Sequence, residues 1–187
     1  MVYIVLYLVG GLLFVNGMFL LGHASNLAGV VAFNLIGGVL ITIMALYIAA
    51  KDLYSAFGET VSVIVGASCL TFSIAYLMIA FEGASIIRGF EVKADFTTLG
   101  WYALPMSICI FSLALGWFQI LGKKMPKVPQ FGILWLTWGV AFFLFFLTFA
   151  LKAPVGKFTG YYIIIIGIIT CSYPALAHFQ AGKTGTW

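Results

Sequence analysis

The sequence predicts an all-α integral membrane protein, a bundle of six transmembrane helices forming a single channel domain over residues 1–187. Three observations predict it. First, the 187 residues are 64% hydrophobic and 7% charged, with a mean hydropathy of +1.16. A soluble domain is typically about 25% charged. Too few charges remain to coat a water-facing surface, which argues against a soluble enzyme, a disordered chain or a nucleic-acid binder. Second, six apolar runs reach the length of about 20 residues that a helix needs to cross the hydrocarbon core. They cover roughly 2–22, 27–50, 60–82, 98–121, 130–151 and 158–181. Third, none of the runs shows the alternating polarity of a membrane β-strand.

The first run opens MVYIVLYLVGG, without a cationic stretch before it or a small-residue cleavage site after it, and is expected to be a retained span. Leu6, Val9, Leu13 and Asn16 share one of its helical faces. The second run carries Asn34 and Gly37-Gly38, and glycines recur through the other spans, where small residues let helix backbones approach closely. The third holds Phe72 and Tyr76 at i, i+4 and closes at Glu82, the one ionisable residue placed at membrane depth. Glu82 lines up with Ser68, Thr71, Ala75 and Met78. That stripe reads either as a polar path with a proton site or as a carboxylate reaching the headgroups or Arg88. Pro105 and Pro174 predict bends in the fourth and sixth runs. Tyr102-Ala-Leu-Pro105 and Tyr173-Pro-Ala-Leu echo each other, as a hairpin repeated three times would. In the fifth run Trp135, Trp138, Phe142 and Phe145 recur at i, i+3, i+7 and i+10, deeper than an interfacial belt needs.

The breaks between runs are short and hold most of the charge, so the formal net +4 is assigned to headgroup contacts. Six spans put both termini on one side. That side carries Lys51, Lys123, Lys124, Lys127 and Lys183, against Arg88, Lys93, Lys152 and Lys157 on the other, a balance too even to set orientation. Cys69, Cys109 and Cys171 lie in apolar runs without metal-ligand spacing, and His23 and His178 have no ligand-type neighbours. No phosphate-binding loop or nucleophile–base set is present, so neither metal nor cofactor is expected and the chain reads as a non-enzyme.

The aromatic faces read either as packing stripes or as the walls of a narrow pore. Such walls suit a small, flat, neutral solute, whose faces stack on rings while indole N–H and Asn groups bond its edges. They offer nothing that replaces an ion's hydration shell.

Trp135-Leu-Thr-Trp138-Gly139, Pro154-Val-Gly-Lys-Phe-Thr159 and Pro174-Ala resemble the AmiS/UreI family of urea and short-chain amide channels. So do Val9-Gly10 with Asn16-Gly17, Asn34 with Gly37-Gly38, and Gly100-Trp-Tyr, over nearly the whole chain. The resemblance implies conduction through each protomer's own bundle, past Leu6, Val9, Leu13 and Asn16, then Phe72 and Tyr76, then Trp135, Trp138 and Phe142. It also implies a homo-hexamer around a lipid-filled centre, both termini outside the cytoplasm, and the bacterial inner membrane. Two substitutions depart from family members: Ile166 stands where they carry a glutamate, and Phe142 where they carry a tryptophan. A more apolar path favours acetamide-like amides over urea. The second break is short and lacks His, so steep acid gating is not expected. Two other classes stay open: a proton-coupled secondary transporter using Glu82, and a non-transporting membrane scaffold.

Overall fold

The computed structural model describes the backbone of residues 2–24, 26–52, 59–89, 96–118 and 129–184, and side chains within 4–24, 26–50, 63–89, 96–118 and 132–175. These residues form six long helices: α1 (Val2–Leu20), α2 (Leu27–Tyr47), α3 (Glu59–Ile87), α4 (Thr97–Gly116), α5 (Pro129–Phe145) and α6 (Gly156–Thr184). Five of the spans they build are long and apolar enough to cross a membrane, and the first, Ile4–Leu20, is a shorter apolar helix. The chain is a multi-pass membrane protein. Lys93, Lys123, Lys124 and Lys127, and the side chains of Lys51, His178 and Lys183, lie outside the described residues.

Helix ends fall close to the expected breaks, with two differences. The third helix runs five residues past Glu82, to Ile87, so Glu82 sits inside its last turns rather than closing it. Three helices continue as π turns, α2 through Ile48–Asp52, α4 into Trp117 and Phe118, and α5 through Phe146–Ala150. Apolar periodicity does not distinguish an α turn from a π turn, which inserts one residue and rotates everything after it. Local chemistry sets the other ends. The Asn26 side chain accepts from the Gly29 N–H at 3.1 Å and caps α2. Phe96, with a left-handed φ of 51°, turns the chain into α4.

Packing is strongest in three pairs, α1 with α6, α2 with α3 and α4 with α5, and lighter contacts join the pairs into a ring. Glycines set the tightest approach. A Cβ on Gly10 would lie 2.6 Å from the Gly167 carbonyl oxygen, and one on Gly167 would lie 2.7 Å from the Gly10 oxygen. Each glycine therefore admits the other helix's backbone, the close contact that gains dispersion energy where lipid supplies no hydrophobic drive. The outer surface is apolar as well: Phe33, Ile43, Trp101, Ile108, Phe158 and Ile165 are all more than half exposed. Helices apolar on every side suit a bilayer and no aqueous phase.

Candidate functional site

The inner face of α5 forms one wall of the bundle axis. Trp135, Trp138, Phe142 and Phe145 are buried, while Ile133, Leu136 and Phe143 on the opposite face are exposed. The spacing read from sequence is thus the face that points inward. From α3 comes Phe72, whose ring meets Trp138 edge-on at a centroid distance of 4.7 Å and Phe142 at 5.0 Å. Tyr76, one turn later, lies 6.1 Å from Phe72. Its hydroxyl donates to the Val9 carbonyl at 2.9 Å, which ties the aromatic group to α1. Leu6, Leu13 and Ile166 are buried in the same apolar cluster.

All ten residues singled out for the path are buried. Ring contacts and the tyrosine hydrogen bond bring Phe72, Tyr76, Trp138, Phe142 and Val9 together directly. Trp135 meets Trp117 edge-on at 5.1 Å, toward the side of the termini. Glu82 is half-buried and does not line the cavity described below.

The polar groups depart from expectation. The Trp138 indole N–H donates to Thr170 Oγ1 on α6 at 3.1 Å, with both residues at most 2% exposed, so it does not point toward a passing solute. A buried indole N–H finds a protein partner when one is in reach. On α3, Ser68 donates to the Ile64 carbonyl and Thr71 to that of Ser68. Those hydroxyls face back onto their own helix, as Ser and Thr in membrane helices commonly do. The stripe leading to Glu82 is therefore not a row of free hydroxyls.

At the end opposite the termini lies a small cavity of about 20 Å³, enough for one water molecule. Asn16, Phe19 and Leu20 line it from α1, Ile79 from α3, Phe96 and Leu99 from the start of α4, and Phe145 and Phe149 from α5 and its π turn. Rings run inward from it in sequence. Phe19 meets Phe96 at 6.5 Å, Phe96 meets Phe149 at 5.4 Å, and Phe149 meets Phe145 at 5.9 Å. Phe145 then reaches Phe142 at 6.2 Å, which touches Phe72. Inward of the cavity the axis is shut. Phe72, Phe142 and Trp138 are 0–2% exposed, and a ring bordering a water-sized passage would show more accessible surface than that. The conformation is occluded.

The cavity's polar member is Asn16. Its amide and that of Asn34 on α2 form a reciprocal pair, with N···O distances of 2.9 and 2.8 Å. Asn34 also donates to the Val30 carbonyl at 2.8 Å. Sequence reasoning missed Phe19, Phe96, Phe149 and Thr170 as members of the site. Phe96 falls in a break between runs, Phe149 in the π turn, and the other two on faces with no aromatic repeat.

The profile of the AmiS/UreI family of transporters matches residues 1–181. A Rhodococcus erythropolis protein named as the transporter AmiS2 is 30% identical over 168 residues, 89% of this chain and 73% of that one. A Mycolicibacterium smegmatis protein, named for transport of amidate substrates, is 28% identical over 91% of this chain and 72% of its own length. Among solved structures, the Helicobacter pylori urea channel in its closed state superposes with a TM-score of 0.75 at 27% identity, covering 96% of this chain and 98% of that one.

Proposed function

The chain belongs to the AmiS/UreI family of transporters, and from that premise we propose that it is a passive facilitator for small, neutral, planar solutes. The solutes are short-chain amides such as acetamide, or urea, crossing the bacterial inner membrane through one six-helix protomer. The observation that carries this reading is the buried file of rings at the bundle axis, Phe72 from α3 with Trp138 and Phe142 from α5.

Conduction requires Phe72 and Phe142 to swing aside, since Trp138 is anchored through its N–H to Thr170. A flat amide replaces the displaced ring contacts with its own face-to-ring contacts, so its partial loss of water is offset. An ion receives no such compensation, and stripping its water in an apolar lumen costs tens of kcal/mol by Born solvation. Leu6, Val9 and Leu13 with Ile166 complete the wall, Asn16 and Tyr76 supply the polar groups, and Trp135 flanks the path toward the termini. Ile166 leaves its part of the wall apolar, which favours acetamide and propionamide over urea. The protomers assemble as a homo-hexamer around a lipid-filled centre, with both termini on the external face.

Osmotic swelling of liposomes containing the purified protein tests the proposal. Acetamide or propionamide permeates faster than through empty vesicles, without ATP or a proton gradient. If acetamide, propionamide and urea all enter no faster than through empty vesicles, the proposal fails.

A further inference from the structure

The Asn16–Asn34 pair has a fixed orientation that follows from one hydrogen bond. The Val30 carbonyl can only accept, so the Asn34 atom 2.8 Å from it is the amide nitrogen. That places the Asn34 carbonyl oxygen toward Asn16, so Asn16 must answer with its own nitrogen there and with its oxygen toward the Asn34 amide. Asn34 thereby commits both of its N–H groups. Asn16 commits one N–H and one carbonyl lone pair, and an amide has two of each. Its second N–H and second lone pair have no other partner among the described residues.

The two asparagines differ in position. Asn34 is 0% exposed, whereas Asn16 is 4% exposed and borders the cavity, where the side chains around it are apolar. A pair serving only to join α1 to α2 has no need of a cavity against one member. We propose that Asn34 is a positioning residue that locks the Asn16 amide in one orientation. When the path opens, this water-sized cavity becomes a selectivity subsite for solutes with an amide's donor and acceptor groups on a flat frame. The subsite takes primary carboxamides or urea, which match the capacity left on Asn16, and disfavours polyols of similar size, whose hydroxyls are not coplanar and do not stack on Phe96, Phe145 or Phe149. The inference rests on the function proposed above.

The test compares acetamide and glycerol entry into liposomes carrying wild-type protein, Asn34→Leu, or the double variant Asn16→Leu/Asn34→Leu. Removing both partners leaves no orphaned amide, so the double variant retains its fold even where the single one does not. One lost hydrogen bond predicts an acetamide rate lower by about 3- to 10-fold in either folded variant, with the glycerol rate unchanged. A purely structural amide pair would move both rates together or neither. An unchanged acetamide-to-glycerol ratio in a folded double variant overturns the inference and leaves the channel function standing. Absence of amide flux in the wild-type protein sinks the function itself.

Discussion

Replacing Phe72 by alanine tests whether the ring file is a gate. Phe72 is the ring that Trp138, Phe142 and Tyr76 all approach, at 4.7, 5.0 and 6.1 Å. Aromatic pairs of this kind are worth about 0.5–1.5 kcal/mol each beyond their area, so moving Phe72 out of three of them costs about 1.5–4.5 kcal/mol. That cost belongs to the barrier for every solute crossing. Phe72→Ala removes it, and since 1.4 kcal/mol is a factor of ten, acetamide flux rises at least about tenfold unless another step becomes limiting. The same change leaves a void and destabilises the fold by about 3–5 kcal/mol, so Phe72→Leu, which keeps more of the volume, is measured beside it. Stopped-flow swelling gives the flux, and thermal melting in detergent reports the fold. A folded variant whose acetamide flux is equal to or below that of wild type refutes the reasoning, because the rings would then be packing and the passage elsewhere.

Four further outcomes follow from the same geometry. Thr170→Val keeps the shape but leaves the Trp138 N–H without its acceptor, costing about 1–3 kcal/mol; melting falls and tryptophan emission shifts, while a coincidental contact would leave both unchanged. Gly10→Ala puts a methyl 2.6 Å from the Gly167 oxygen and lowers stability by about 1–3 kcal/mol, whereas Gly11→Ala, with nothing within 4 Å of its added carbon, melts like wild type. Glu82→Gln conducts acetamide at the wild-type rate with or without a protonophore; a collapse in both cases would instead favour proton coupling. Acetamide flux changes less than about twofold between pH 7 and pH 5, across the range where an unperturbed histidine titrates, and a steep rise on acidification would contradict the absence of acid gating.

The inward face of α5 was legible in the sequence because its aromatics repeat at helical spacing, and four large rings on one face have few alternatives to the bundle interior. The burial of Leu6, Val9, Leu13 and Asn16 followed from the same periodicity in α1. The Gly10–Gly167 contact joins the first helix to the last, and no local pattern names a glycine's partner 157 residues away. Phe149 was hidden because the π turn at Phe146–Ala150 rotates it off the register of Phe142. The echo between Tyr102–Pro105 and Tyr173–Pro174 does not mark equivalent places: Pro105 is eight residues into α4 and Pro174 eighteen into α6. The three close pairs still leave a threefold layout visible, with α6 and α1 paired across the chain ends rather than as a hairpin.

Occlusion by rings bears on a difficulty that any passive amide path faces. A water-filled pore wide enough for acetamide would also carry a hydrogen-bonded file of waters, along which protons pass unless the file is interrupted or an electrostatic barrier stops them. Here Phe72, Phe142 and Trp138 are 0–2% exposed, so no water file passes between them at rest. The neighbouring hydroxyls do not bridge the gap either: Tyr76 donates to Val9, Ser107 to Gly139 and Tyr162 to Thr137, each to a backbone carbonyl on another helix. A proton relay needs groups that both donate and accept in series, and a hydroxyl turned onto a carbonyl ends the series. In the proposed mechanism the solute supplies the missing surface as it moves, stacking where a ring has swung aside and keeping water out behind it. On that proposal the contacts that make the core dense also make the path selective, and leakage of protons rises with any substitution that opens the ring file without a solute in it.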